Sequence, residues 1–477
     1  MPQRLSPDLC VIGAGSGGLS VAAAATAFGV SVVLIEKARM GGDCLNTGCV
    51  PSKALLAAGK RAQALRTAGQ FGIAASEPAV DMAKVRAHVR GVIDAIAPMD
   101  SAERFRGLGV RVIKGTARFI DKRTVVVDSD KDLEIRARRF VIATGSRPSI
   151  PSIAGLDGVP YFTNETVFDL DVLPRHLLVI GAGAVGLELA QAFRRLGSAV
   201  TVLEAAVPLA KDDPEGAAIV LATLAREGVV IRSGVTVTQV ARANGGVAVT
   251  MTAGEGSETL AGSHLLVAAG RTPVVDDLGL EAARIRHDAR GIAVNKKLKT
   301  SNRRVYAVGD VTGGAQFTHA ANHHASLVIR NALFRLPIRF DPHAIPWVTY
   351  TDPELAHIGL TEAEAARRGG KIRVLRWAYH DNDRAQAERG TTGHVKVTCT
   401  SKGRILGVTI VGAAAGELLM PWILAVAEGL NIRAFIGLVV PYPTVSEIAK
   451  RAAIDFFAPR LTGPWVRRMI RWLRMLG

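Results

Sequence analysis

Near its start the chain sets a short apolar run against a cluster of glycines. Asp8-Leu-Cys-Val-Ile12 runs into Gly13-Ala-Gly15-Ser-Gly-Gly18, and an alanine-rich stretch follows. A short apolar run bounded by glycine predicts a buried strand that turns sharply into a helix. The next run, Ser31-Val-Val-Leu-Ile-Glu36, predicts the following strand. The same pattern returns as Leu177-Leu-Val-Ile-Gly181-Ala-Gly183-Ala-Val-Gly186-Leu-Glu188, followed by Ala199-Val-Thr-Val-Leu-Glu204. The interval from Gly13 to Glu36 equals that from Gly181 to Glu204, so the chain is expected to hold two copies of one βαβ unit. A later apolar stretch, Leu418 to Pro441, is interrupted by Pro421, Glu428, Asn431 and Arg433. That makes it core rather than a membrane span.

The glycines carry the first chemical signal. In each unit the first glycine (Gly13, Gly181) makes the tight turn, and the second (Gly15, Gly183) lets a pyrophosphate approach the backbone. The third (Gly18, Gly186) lets helix and strand pack closely. Glu36 and Glu204 stand where a carboxylate accepts ribose hydroxyls. Two dinucleotide sites of this kind suit one tightly held flavin and one exchangeable nicotinamide. Glu204 repels a 2′-phosphate, and Ala205 and Ala206 follow where an arginine would be wanted for it, so NADH is expected over NADPH. Lys211, close by in sequence, is a cation that could serve a 2′-phosphate instead.

The second signal is Met40-Gly-Gly-Asp-Cys-Leu-Asn-Thr-Gly-Cys-Val-Pro-Ser-Lys53, where Cys44 and Cys49 are the only two of four cysteines near each other. An undistorted helix holds α-carbons five positions apart at more than the ~7 Å a disulfide can bridge. The backbone must bend between them, and Thr47-Gly48 with Pro51 supply the means, which predicts a distorted helix start and an easily reduced bridge. Lys53 stands four residues past Cys49. On a helix its ammonium shares that face, where it and the helix's positive end favour a thiolate. Zinc would need about four ligands and a matching second cluster, which does not occur. A structural bridge suits an exported chain, and Met1 to Pro7 has neither a long apolar run nor a cleavage site. A catalytic redox pair in the cytoplasm is the expectation. Cys10 and Cys399 are expected to be inert and buried.

Length adds that 477 residues should form about three domains. The net charge of +17 invites a nucleic-acid or anionic-membrane reading. Yet arginines are scattered along the chain, and an enzyme of two anionic dinucleotides gains from a positive field, so nucleic acid is not an expected partner.

These residues resemble the pyridine-nucleotide–disulfide oxidoreductases, the family of dihydrolipoamide dehydrogenase, glutathione reductase, mercuric reductase and the soluble transhydrogenases. The resemblance runs through both glycine fingerprints, the segment around Cys44 and Cys49, Ala143-Thr-Gly-Ser-Arg-Pro148, Ala269-Gly-Arg-Thr-Pro273 and Tyr306-Ala-Val-Gly-Asp310. It implies an α/β fold of two Rossmann-type domains, for FAD and NAD, plus a C-terminal α+β dimerisation domain in a homodimer. The implied FAD domain is 1–155 with 277–342, the NAD(P) domain 156–276 and the dimerisation domain 343–459. Cys49 would face the flavin as charge-transfer thiol and Cys44 the acceptor. Asp310 would bind the ribityl chain, Lys53 and Glu188 would pair near the flavin ring, and Thr144, Gly145 and Gly270 would line the cofactor sites. Hydride would pass from NADH to FAD, and the electron pair then to the disulfide and outward.

The chain departs from the disulfide-reducing members at Pro441-Tyr442-Pro-Thr444-Val-Ser-Glu447. Glu447 is kept, but Tyr442 replaces their acid–base histidine, and a phenol of pKa near ~10 cannot take a dithiol proton at neutral pH. Mercuric reductase is therefore the nearer analogue, since a soft metal ion suits two converging thiolates. No cysteine follows Cys399, however, where mercuric reductases usually carry a vicinal pair. The small-molecule acceptor is a metal ion, a disulfide or a quinone. The alternatives are a dihydrolipoamide dehydrogenase with another base, a membrane-associated quinone reductase, or a redox sensor. His319, His323 and His324 are candidate bases but are expected to pack, and His380-Asp-Asn-Asp-Arg384 reads as a loop rather than a metal site.

Residues 460–477 form a basic amphipathic tail with five arginines and no acid. At helical spacing Trp465, Met469, Leu473 and Leu476 share one face, and Arg467, Arg471 and Arg474 another, with Pro464 opening the helix. Such a helix either meets the inner face of the membrane or docks on the protein's own dimer.

Overall fold

The first apolar run becomes the strand Leu9–Ile12, buried along its whole length, and the glycine cluster opens the helix Ser16–Ala27. The strand Val32–Glu36 follows, parallel to the first. With Arg111–Lys114, Arg139–Ile142 and Val305–Ala307 they form a five-stranded parallel sheet, Leu9–Ile12 at its centre. Strands covered on both faces read as continuous apolar runs, which is why Leu9–Ile12 and Val32–Glu36 were legible. The computed structural model describes residues 3–128, 133–461 and 463–476. They fall into two units, residues 1–207 with 228–342, and residues 208–227 with 343–477.

Within the first unit the repeat is literal. His176–Ile180, the helix Ala184–Leu196 and Ala199–Glu204 reproduce the opening βαβ, and Val229–Ser233 and His264–Val267 complete a four-stranded parallel sheet. An antiparallel meander, Thr236–Ala243, Gly246–Ala253 and Gly256–Gly262, accompanies it. The third fingerprint glycine acts alike in both copies. A Cβ on Gly18 would overlap the Gly13 carbonyl oxygen, and one on Gly186 the Gly181 carbonyl oxygen.

The cysteine segment forms two helices, Gly42–Asn46 and Cys49–Thr67, with the break at Thr47-Gly48. Thr47 has φ −145° and Gly48 has φ −121° and ψ −111°, both far from helical, so the predicted distortion falls between the cysteines. The longer helix packs along Ala184–Leu196. Gly59 makes this close, since a Cβ there would lie 3.3 Å from the Ala192 carbonyl oxygen.

The second unit is α+β. Trp347–Thr349, Glu354–Gly359, Ile405–Gly412, His394–Thr400 and Ile372–Ala378 make an antiparallel sheet in that order. Its core includes Trp422, Ala425, Phe435 and Phe456, with Cys399 inside it. The apolar stretch from Leu418 is thus core on one face only, because Met420, Leu424, Leu438 and Val439 are exposed. No helix among the described residues is long and apolar enough to cross a membrane. The helix Glu447–Leu461 continues two residues past Pro459, and the terminal helix Pro464–Leu473 opens at Pro464 as expected. The cap of Pro214–Arg226 also belongs here: Asp213 accepts from the amides of Glu215 and Gly216 at 3.1 and 3.3 Å.

The second unit buries a charge that the sequence did not advertise. Lys396 is 3% exposed in mid-strand, and its ammonium lies 2.8 Å from Asp213, 2.8 Å from Glu215 and 2.7 Å from Glu362. Burial alone would lower its pKa, but hydrogen bonds to the three carboxylates reverse this and raise it. Lys396→Met leaves the buried Asp213 without its cation, and should cost about 3–5 kcal/mol. Chemical denaturation checks this, and a loss below ~1 kcal/mol would mean that the cluster is not what holds this corner together.

Candidate active site

The cysteine segment is docked on the first fingerprint by direct backbone contact. Gly41 donates its amide to the Ala14 carbonyl at 3.0 Å and bridges Gly15 in parallel register. A Cβ on Gly42 would lie 2.7 Å from the Gly15 α-carbon, so no larger residue fits there. From this anchor the short helix carries Cys44, and the break returns the chain to place Cys49 at the first position of the long helix. Asp43 stabilises the break by accepting from the Thr47 hydroxyl at 2.7 Å.

Cys44 and Cys49 flank the break in this segment and are not bridged. Both are free cysteines in this structure, and hydrogen bonding to the Cys44 thiol is the leading cause of the shift at Cys49. That bond pulls the Cys49 pKa down to about 6. Burial opposes the shift, while the Thr318 hydroxyl at 3.5 Å and the Lys53 charge assist it. The same bond, followed by burial, pushes Cys44 up. The pair therefore divides into a thiolate at Cys49 and a thiol at Cys44. Lys53 donates to Glu188 at 2.8 Å, and Glu188 is 5% exposed. Thus the packed helices bring Cys49, Lys53 and Glu188 into one cluster. Cys10 is fully buried, and burial pushes its thiol far up, as expected of an inert group.

Both fingerprints are built to receive a dinucleotide. Gly15 and Gly183 precede their helices with the same backbone, φ −77° and ψ −178°, and no side chain caps either helix. A Cβ on Gly183 would meet nothing within 4 Å, and one on Gly15 only Gly42 at 3.9 Å, which leaves room for a phosphate at each helix N-terminus. Glu36 is fixed by the amides of Ala14 and Ala38 at 2.6 and 2.7 Å. Glu204 is fixed by those of Ala182 and Ala206 at 2.7 and 2.9 Å. The donor sets and open space fit FAD and a nicotinamide dinucleotide. Gly145 and Gly270 also leave open space where a Cβ would stand, whereas the Thr144 hydroxyl is engaged by the Val274 carbonyl at 2.8 Å. Lys211 is exposed.

A polar chain ties these parts together. Asp310 accepts from the Ser146 hydroxyl at 2.6 Å, and Ser146 accepts from Arg271 Nε at 2.7 Å. Arg271 then pairs with Asp43 at 3.2 Å, while Asn164 donates to Asp43 and to the Thr47 carbonyl, each at 3.2 Å. Burial pushes the Asp310 carboxyl up against the pull of Ser146 and Arg271. Asp310 is the second residue of the 3₁₀ turn Gly309–Thr312, which has no side-chain cap. Sequence reasoning assigned no role to Asp43, Ser146, Asn164, Arg271 or Thr318. Arg271 and Asp43 lay inside motifs that had been singled out, and a charged residue in each was the available signal.

Residues 7–325 match the family described as pyridine nucleotide-disulphide oxidoreductase, and residues 345–453 match its dimerisation domain. The chain belongs to this family. It is 36% identical to a mercuric reductase of Streptomyces lividans over 94% of this chain and 96% of that protein. It is 37% identical to a dihydrolipoyl dehydrogenase of Thermus scotoductus, again over 94% and 96%. Among solved structures, LpdA from Mycobacterium tuberculosis superposes with a TM-score of 0.87 at 27% identity, covering 95% of this chain and 99% of LpdA. The Cu(II) complex of the HOCl-induced flavoprotein disulfide reductase RclA from Escherichia coli gives 0.84 at 26% identity, covering 94% and 99%. The protein is accordingly an FAD-binding, NAD(P)H-dependent flavoprotein disulfide oxidoreductase of two Rossmann-type domains and a C-terminal domain. The dimerisation-domain match supports a homodimer.

In this oxidoreductase Tyr442 and Glu447 lie in the second unit. The Tyr442 hydroxyl donates to Asp383 at 2.7 Å, and that bond raises the phenol's pKa. Glu447 opens the helix Glu447–Leu461, with Arg451 at 3.9 Å. Of the three histidines expected to pack, only His324 is buried, and His319 and His323 are exposed. His324 is 1% exposed, accepts from the Gly309 amide at 3.1 Å and meets the Phe340 ring edge-on, and burial pulls it down to about 4. Partial desolvation also lowers His323, and His319 stacks on Phe317. Residues 379–387 form a 3₁₀ turn and a short helix where a loop was expected.

The reduced protein should alkylate at Cys49 with a midpoint near pH 6 rather than the ordinary ~8.5, since the reactive thiolate persists down to its lowered pKa. Iodoacetamide kinetics against pH measure this. Cys44→Ser should move the midpoint most, in accord with the leading cause, and Lys53→Met less; an unchanged midpoint in both variants would refute the assignment.

Proposed function

We propose that this oxidoreductase uses NADH to reduce a soft metal ion, of the mercuric class, held between Cys44 and Cys49. The observation that carries the reading is Tyr442 where a dithiol acceptor would need an imidazole, together with two free cysteines flanking the break of one segment, with the Cys49 pKa lowered to about 6 beside Cys44. Overall, NADH and Hg(II) give NAD⁺, a proton and Hg(0). FAD, when bound, supplies the two-electron carrier between the nicotinamide and the cysteine pair. The relatives named mercuric reductase support a soft-metal acceptor, and the Cu(II) complex of RclA supports metal binding by a chain of this fold.

The residues divide the work. Gly13, Gly15, Gly18 and Glu36 hold FAD, with Asp310, Thr144 and Gly145 along its length. Gly181, Gly183, Gly186, Glu204 and Gly270 hold the nicotinamide cofactor. Lys53 offsets negative charge beside the flavin, and Glu188 offsets the cost of burying that ammonium. NADH is preferred because Glu204 is already fixed to receive two ribose hydroxyls and is followed by alanines. Tyr442 and Glu447 serve the acceptor side across the dimer. The domains are 1–155 with 277–342 for FAD, 156–276 for NAD(P) and 343–459 for dimerisation, where the exposed Met420, Leu424, Leu438 and Val439 suit a partner subunit. The enzyme works in the cytoplasm, with residues 460–477 contacting the inner face of the membrane.

The Asp383 bond opposes a lipoamide reading, because a phenol that donates to a carboxylate and has a raised pKa is a poorer base. Steady-state assays should show NADH-dependent reduction of Hg(II) by the wild type and slow turnover of lipoamide, glutathione disulfide and quinones. Tyr442→His should raise lipoamide turnover by about 10²-fold. Rapid lipoamide reduction by the wild type, with no gain in the variant, would overturn the acceptor assignment. NADH should be favoured over NADPH in kcat/KM by at least about tenfold, and Glu204→Ala should narrow that ratio; a wild type that favours NADPH refutes the assignment of Glu204.

A further inference from the structure

The terminal helix has a division of residues that the fold leaves unused. In Pro464–Leu473 none of the ten residues is buried, although Trp465 and Trp472 are among them, 71% and 57% exposed. At about 100° per residue, Trp465, Val466, Met469, Ile470, Trp472 and Leu473 fall within an arc of about 160°. Arg467, Arg468 and Arg471 fill the opposite side, and Arg474 follows at the C-terminal end. Complete separation over so short a helix is the pattern of a segment lying in an interface.

We propose that this helix lies flat in the headgroup layer of an anionic bilayer, its tryptophan face turned toward the acyl chains and its arginines among the lipid phosphates. This rests on the membrane contact stated above and adds the lipid class and the pose. Two observations favour lipid over a second copy of the chain. The tail holds five arginines and no acid, and every other copy carries the same net charge of +17, so tail-to-copy docking works against repulsion while an anionic surface attracts. The helix is also only about 15 Å long, half the thickness of a bilayer's hydrocarbon core, which excludes a transverse pose. Interfacial tryptophans and arginines that reach phosphate suit the planar one. A homodimer presents two such helices, so the bound state is expected to need both, since one short amphipathic segment holds a membrane only weakly.

Flotation of the full-length holoenzyme with vesicles tests this. Binding should be at least about tenfold stronger to phosphatidylcholine containing about 30% phosphatidylglycerol than to phosphatidylcholine alone, and should fall sharply in 1 M salt, where the Debye length is about 3 Å. Deleting residues 463–477 should abolish binding while NADH oxidation in solution is retained. Either Arg467→Gln with Arg471→Gln, or Trp472→Ser with Leu473→Ser, should weaken binding about tenfold or more. Equal binding to neutral vesicles overturns the lipid class alone. Retention of binding by the Trp472 and Leu473 variant overturns the inserted pose. No binding to any vesicle, or a deletion that changes only the dimer's mass, overturns the membrane contact itself.

Discussion

The site depends on a backbone contact that admits no side chain. The turn that would receive the flavin pyrophosphate also serves as the floor on which the cysteine segment rests, with Gly15 against Gly41 and Gly42. Because the approach is between main chains, the redox pair inherits its position from the first βαβ unit, the most regular element of the protein. The kink at Thr47-Gly48 then brings two sulfurs together that a continuous helix would hold apart. Gly48 is required there, since a Cβ would press on Asp43 at 2.9 Å.

Helix packing extends the position set by that contact to the second nucleotide site. The helix that begins at Cys49 lies along the helix of the second fingerprint, and Gly59 allows their close approach. One consequence is the Lys53–Glu188 pair, which joins a residue of the helix that begins at Cys49 to one of the second fingerprint's helix. A buried carboxylate so placed is tolerable only with its cation, so the two elements are held in register by electrostatics as well as by packing. The same logic appears in the second unit at Lys396, where three carboxylates compensate one buried ammonium.

Acceptor choice rests on fewer atoms. A histidine at position 442 would offer a base near neutral pH, whereas a tyrosine hydrogen-bonded to Asp383 has its proton held more firmly. The lowered pKa of Cys49 is what the proposed soft-cation acceptor would call for.

The chain by itself determined the two βαβ units, the repeated glycine turns, the paired Glu36 and Glu204, and the bend between the cysteines. These follow from local rules: apolar runs buried on both faces, glycine where two backbones meet, and a fixed reach for a disulfide. It also separated inert Cys10 and Cys399 from the reactive pair, and it marked the terminal helix by its periodicity. What only the tertiary structure decided is which distant polar groups meet. Arg271 finds Asp43 and Ser146, Thr318 finds Cys49, and Lys396 finds Asp213, all across separations that no pattern in the sequence reports. One half of the Leu418–Pro441 stretch proved exposed for the same reason, since which face of an apolar helix is covered depends on what packs against it. Periodicity fixes where a side chain points along its own element, whereas partners are chosen by the packing of elements far apart in the chain, and the polar network at the cysteines is built from such partners.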